Sequence, residues 1–153
     1  MQSIAQKSGH LNFGNLVAMM PQTKAADSEL QSYQKNLVQE VEAMATRFQV
    51  DYSSYVKEVQ NGNLSPKKQS ERQEALKKKQ EEITAYEQQM EQQLQEKRQE
   101  LLRPILERAE LAIKEVAQEN GYEAVFDTSM FNKVLFAADS DDLMQKVKGK
   151  LGI

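Results

Sequence analysis

The chain has 153 residues, a formal net charge of -3 and a pI near 5.3. That length suits one domain, but 39% hydrophobic residues, 7% aromatic, no Trp and a mean hydropathy of -0.72 are thin for a compact globule. Much of the chain must be extended. Cysteine is absent, which excludes disulfides, Cys-ligated zinc, iron–sulfur clusters and thiol nucleophiles. No run of eighteen apolar residues is present to span a bilayer.

The N-terminus, MQSIAQKSGH, lacks the basic and apolar regions of a signal peptide. The segment His10–Phe13 (HLNF) reads as a short strand, and GNLVAMM as one or two helical turns that stop before Pro21. From about Thr23 the apolar residues fall on a helical stripe of Leu30, Tyr33, Leu37, Val41, Met44, Phe48, Tyr52, Tyr55 and Val59. The steps of three and four are close to a heptad seam. Asn61-Gly62-Asn63 signals a turn, and Ser65-Pro66 supplies an N-cap with proline at the first helical position.

The second long helix carries a seam of Leu76, Ile83, Tyr86, Met90, Leu94, Leu101, Ile105, Ala109, Ala112 or Ile113, and Val116. It stops at Asn120-Gly121, where glycine can take the left-handed conformation of a helix end. Tyr122–Asp127 (YEAVFD) and Val134–Ala138 (VLFAA) are apolar runs of strand length without alternation. Such strands need cover on both faces and paired edges, which self-association supplies. The tail DSDDLMQKVKGKLGI puts acids at the start and Lys146, Lys148 and Lys150 near the end of a short terminal helix, as its dipole favours.

If the two long helices run antiparallel about residue 63, residue i lies beside about 125 minus i. Leu30 then meets Leu94, and Leu37 lies between Tyr86 and Met90. Pro104 falls where this paired section ends. It deletes a backbone donor inside a helix at a cost of about 3 kcal/mol, and the expected return is a hinge that redirects the helix from arm to body. The expected fold is therefore α+β. A discontinuous body of residues 1–22 and 104–153 carries a hairpin arm of residues 23–103, with its turn near 61–65. At 1.5 Å per residue the first helix spans roughly 57 Å, so the arm should project beyond a compact body.

KSGHLNF, LLRPILERAELAIKEVAQENGYEAVFD after a charged coiled-coil hairpin, VLFAAD and an acid-capped terminal helix together resemble the Skp/OmpH family of periplasmic chaperones. The likeness covers nearly the whole chain. It implies a homotrimer with a β-barrel-like body and three helical arms around a cavity. It also implies an ATP-independent holdase for unfolded outer-membrane proteins, and a periplasmic location with a signal peptide no longer carried by this sequence.

The residues offer no catalytic constellation, so an enzyme is not expected. His10 is the only histidine and cannot by itself found a triad. Asp139, Asp141 and Asp142 lack the rest of a calcium loop and read as helix capping, so no metal is expected. No phosphate-cradling glycine loop supports a nucleotide cofactor. Asn63-Leu64-Ser65 has the form of a glycosylation sequon but is followed by Pro66 in a tight turn.

Charge is unevenly spread. Lys67, Lys68, Arg72, Lys77, Lys78 and Lys79 make the arm tip basic, while the following twenty residues are acidic. A basic tip can attract acidic client segments or make weak contact with an anionic membrane surface, screened by salt. Its shortness and lack of interleaved aromatics argue against nucleic acid. Met44, Phe48, Tyr52 and Tyr55 belong to the hairpin seam, but the facing stretch around residues 70–79 offers only Ala75 and Leu76 as partners. Part of their surface is expected to meet clients through adaptable Met and Tyr contacts. The competing reading is a structural or adaptor coiled coil that binds one folded partner.

Overall fold

The computed structural model describes residues 6–131 and 133–153; the first residues of the N-terminal stretch and Asn132 lie outside them. In chain order the elements are β1 (Ser8–Leu11), α1 (Phe13–Met19), α2 (Pro21–Gln60), α3 (Pro66–Glu119), β2 (Ala124–Asp127), a 3-10 turn (Asp139–Asp141) and α4 (Met144–Leu151). The chain divides into two units, Met1–Ser28 with Gln99–Ile153, and Glu29–Arg98.

The helix ends follow from their local chemistry. Met20 is extended, as a residue before proline must be, and Pro21 opens α2 with its fixed φ and missing donor. The helix thus begins at the proline rather than at Thr23. At its other end Gly62 adopts φ +68°, its N–H donates to the Val59 carbonyl at 3.0 Å and that of Asn63 to Glu58 at 3.0 Å. The same double closure ends α3. Gly121 lies at φ +69°, the Tyr122 N–H donates to Ala117 at 2.9 Å and that of Gly121 to Gln118 at 3.3 Å. Pro104 is exposed and α3 continues through it.

In the unit formed by the two chain ends, β1 and β2 pair in parallel, with Gly9 opposite Val125 and Leu11 opposite Asp127. The strand lies two residues earlier than His10–Phe13 because Asn12 caps α1. Its Oδ1 accepts the Asn15 N–H at 2.8 Å, so the chain is already turning at Phe13. A Cβ on Gly9 would stand 3.0 Å from Leu143 Cδ1 and 3.2 Å from Tyr122 Cδ1, so glycine lets the strand press onto the core. That core joins Leu11, Leu16 and Met20 to the Ile105, Ala109, Ala112, Val116 stripe of α3 and to Leu143, Val147 and Leu151. All are buried.

The expected third strand is not formed. Among the described residues, 134–138 carry no strand, and beyond β2 the only pairing of β1 is a single bridge from His10 to Asp142. The run makes no ladder with either strand and stays irregular, and Leu135 and Phe136 are left 87% and 86% exposed. The terminal helix also starts later than its acids suggested. Asp139–Asp141 form a separate 3-10 turn, and it is Asp142 whose Oδ1 accepts the Met144 N–H at 2.8 Å.

In the second unit α2 and α3 form an antiparallel pair tied by side chains. Lys97 meets Glu29 at 2.9 Å, Tyr33 donates to Gln93 Oε1 at 3.5 Å and Arg72 meets Glu58 at 3.4 Å; Lys79 bonds Asp51. These pairs match residue i with about 126 minus i at Glu29 and Tyr33 and about 130 minus i at Asp51 and Glu58. The expected register is thus off by one residue at Glu29 and Tyr33 and by five, more than one helical turn, at Asp51 and Glu58, where long Lys and Arg side chains lean along the helix to reach their partners.

Candidate functional site

The aromatic stripe of α2 is only partly taken up by the hairpin. Leu37, Leu76 and Ile83 are its buried apolar residues. Met44, Phe48 and Tyr55 are half-buried, Tyr52 is 51% exposed, and Val38 and Val50 are exposed beside them. Phe48 and Tyr52 stack with ring centroids 6.2 Å apart and planes 21° from parallel, as i, i+4 neighbours on one helix face. The Tyr55 hydroxyl accepts from Gln73 Nε2 at 2.8 Å, which fixes that ring against α3. Met44 and Ile83 line a cleft of about 340 Å³ whose other walls are Glu40, Arg47, Lys79 and Glu82. The four residues singled out from the sequence therefore share one face, with an apolar, stacked and partly open surface.

The basic cluster is less free than its sequence suggested. Arg72 and Lys79 reach across to Glu58 and Asp51 on α2, and Lys67 and Lys77 lie 4.0 and 3.9 Å from Glu71 and Glu81 one turn on. Lys68 and Lys78 remain exposed. The hydrogen bond from Lys79 holds the Asp51 carboxyl below the ordinary aspartate value against the opposing effect of desolvation, and the Lys79 and Arg72 charges add to the lowering. Counting charges along one helix missed the acids that the antiparallel partner brings up.

The end unit carries a second, larger apolar exposure. Phe126, Met130, Phe131, Leu135 and Phe136 are 55% to 92% exposed, and Leu111 on α3 is 56% exposed. Beside β2 a cleft of about 280 Å³ is lined by Leu11, Phe13, Ile113, Ala117, Val125 and Phe126, with Glu110, Lys114 and Asp127 also on its wall. Sequence reasoning identified the unsatisfied strands but not this cleft. Its walls come from elements more than a hundred residues apart in the chain.

His10 and the aspartates have structural work. His10 Nε2 lies 3.0 Å from the Ala138 carbonyl and ties that segment to β1. Burial works to raise the Asp127 pKa, but hydrogen bonds from the Ser129 hydroxyl (2.7 Å), the Ser129 N–H (2.8 Å) and the Phe13 N–H (3.1 Å) hold it below the ordinary value. Among the described residues no group of acidic or histidine side chains is placed to hold a metal ion, and no helix is long and apolar enough to cross a membrane.

A long helical hairpin whose flanking segments fold together into a small α+β unit defines the class of protein to which this arrangement belongs. Residues 7–151 match the family model described as outer membrane protein (OmpH-like), and the chain belongs to that family. The fold is similar to the crystal structure of a proposed outer membrane chaperone (OmpH-like) from Caulobacter crescentus CB15. The TM-score is 0.80 at 14% identity, over 95% of this chain and 83% of that one. No curated protein matches the sequence at a significant level.

Proposed function

We propose that this protein is an ATP-independent holdase of the periplasm that keeps unfolded outer-membrane proteins from aggregating. In this reading three copies associate through their end units into a β-barrel-like body (residues 1–22 and 104–153). Their hairpin arms (residues 23–103) enclose a cavity for one client, and each arm hinges at Pro104. Met44, Phe48, Tyr52 and Tyr55 contact the client. Lys68 and Lys78, with the rest of the Lys67 to Lys79 cluster, attract acidic segments or an anionic membrane surface weakly.

The observation that carries the proposal is the partly open aromatic face of α2, with Phe48 stacked on a half-exposed Tyr52. A hairpin that served only as a spacer would have no use for it. Such a face offers many weak, adaptable contacts, and enclosure by several arms multiplies them into useful affinity. Family membership and the chaperone description of the Caulobacter crescentus relative point the same way.

The test is the native mass of the protein, alone and with a urea-unfolded outer-membrane barrel diluted into buffer. A mass three times the chain's 17.5 kDa, rising by one client while light scattering falls, is the expected result. Protection of several unrelated barrels at one stoichiometry separates the holdase from an adaptor with a single folded partner. A monomer or dimer that leaves every client to aggregate refutes the proposal.

A further inference from the structure

The cleft walled by Glu40, Met44, Arg47, Lys79, Glu82 and Ile83 has chemistry that the hairpin seam does not need. Counting about 100° per residue from Met44, Phe48 and Tyr52 lie about 40° and 80° to one side, and Glu40 and Arg47 about 40° and 60° to the other. The cleft therefore opens on the opposite flank of the seam from the stacked rings. Its inner wall is apolar, made of the half-buried Met44 and the buried Ile83. Its rim carries charges of both signs. Lys79 is taken up by Asp51, but Glu40, Arg47 and Glu82 have no ion-pair partner among the described residues, not even one another. A guanidinium and two carboxylates around a wall of Met and Ile are thus left to meet a ligand.

We infer that this cleft holds one aromatic side chain bearing a polar hydrogen, an indole or a phenol, from an extended client segment. The inference rests on the proposed holding of unfolded outer-membrane proteins and names the side chains by which such a chain is gripped. Size and chemistry select the occupant. About 340 Å³ lies at the small end of ligand pockets, enough for one large side chain and too little for a folded surface. A ring against Ile83 and the Met44 sulfur gains thioether–aromatic contact and offers its face to the Arg47 guanidinium. Its N–H or O–H then donates to the Glu40 or Glu82 carboxylate. An aliphatic side chain would shield the three charged groups from water and return no hydrogen bond. A charged one would meet its own sign on the rim and shed its water over an apolar wall. Transmembrane strands of outer-membrane barrels carry girdles of aromatic residues, so an unfolded barrel offers suitable side chains many times along its length.

The chain contains no Trp, so in the full-length protein indole emission reports on a probe alone. The probe is a synthetic peptide of about ten residues, the length of one barrel strand, with a single Trp; competitors carry Tyr or Leu in its place. With the parent protein, probe emission should shift to the blue, and the Tyr peptide should displace the probe several-fold better than the Leu peptide. Arg47→Gln combined with Glu82→Gln, at exposed positions without ion pairs, should weaken probe binding several-fold and erase the preference for Tyr over Leu, with unchanged helical content by circular dichroism. Phe48→Ser with Tyr52→Ser, on the other flank, should leave the blue shift in place. Equal displacement by the Tyr and Leu peptides overturns the inference, as does a blue shift kept in the Arg47 and Glu82 variant but lost in the Phe48 and Tyr52 variant. So does a parent that ignores the probe yet still suppresses barrel aggregation, which leaves the holdase reading standing. A parent that binds the probe through the cleft while barrels aggregate keeps the cleft and refutes the holdase, and one that does neither refutes both.

Discussion

Ile83 and Leu143 make a matched pair for testing how the two units are held. Each substitution to alanine removes three carbon atoms from a buried side chain; Ile83 is 7% exposed and Leu143 fully buried. The transfer cost is the same, about 2.4 kcal/mol at roughly 0.8 kcal/mol per methylene. The cavity cost differs. Ile83 already lines a cleft whose other walls include exposed charged side chains, so water can enter the space it leaves. Leu143 is enclosed by the core and presses within 3.0 Å of where a Gly9 side chain would begin, so Leu143→Ala leaves a closed void. The expected losses are about 2 to 2.5 kcal/mol for Ile83→Ala and about 3 to 5 kcal/mol for Leu143→Ala. Hydrogen exchange read by peptide separates the units. Ile83→Ala should raise exchange around residues 76–90 by tens of fold and spare residues 105–116, and Leu143→Ala should do the reverse, more strongly. An Ile83→Ala loss equal to or above that of Leu143→Ala would refute the solvent-reached cleft and with it the loose packing assigned to the hairpin.

Three further outcomes follow from the same contacts. Phe48→Ser with Tyr52→Ser should weaken suppression of barrel aggregation at least several-fold while α2 stays helical; unchanged holding by light scattering would remove the aromatic face from the site. Asp51, its pKa lowered by Lys79, contributes stability that is complete above the unfolded aspartate pKa near 3.8 and is lost as pH falls through the lower folded value. The Asp51–Lys79 link should therefore survive from pH 7 to pH 5 and fail only below about 4, and Asp51→Asn should abolish that part of the acid transition seen by hydrogen exchange. Pro104→Ala restores a backbone donor and should stabilise α3 by about 1 to 3 kcal/mol in urea titrations. If Pro104 is a hinge, spin-label distances between the two units should also narrow, and an unchanged distribution would leave the proline without that role.

How much the sequence revealed depends on how local the cause was. The end of α2 and both ends of α3 were legible because Asn61-Gly62 and Asn120-Gly121 close a helix, and Ser65-Pro66 opens one, within a few residues. The seam was legible from spacing, as was its weakness, since Met44, Phe48, Tyr52 and Tyr55 face a stretch poor in apolar residues. The strand at His10–Phe13 was misplaced by two residues because the capping side chain of Asn12 competes with continued pairing, a local signal that can be read in the Asn12-Phe13-Gly14-Asn15 string. The strand at Val134–Ala138 failed for a non-local reason. Propensity makes a segment willing to pair, but it becomes a strand only where the fold lays it along an edge, and residues 134–138 make no ladder with β1 or β2. The cleft beside β2, and the acids that occupy Arg72 and Lys79, arise from chain segments brought together by the fold, and no window along the sequence contains them.

The distribution of buried side chains connects stability to the proposed role. Twelve buried residues form the cluster of the end unit, whereas the hairpin from Glu29 to Arg98 buries only Leu37, Leu76 and Ile83. The stretches of α2 and α3 within that hairpin, residues 29–60 and 66–98, have so little apolar contact that they depend on their own propensity and on exposed ion pairs, each worth no more than about 1 kcal/mol. Local separation of α2 from α3 is then far less costly than opening the end unit, where loss of one leucine already costs several times as much as an exposed pair. A hairpin that yields while its base holds can adapt the Met44–Tyr55 face to chains of no fixed shape. Tightening the seam with larger apolar residues opposite Phe48 and Tyr52 would gain stability by covering the surface proposed to meet clients.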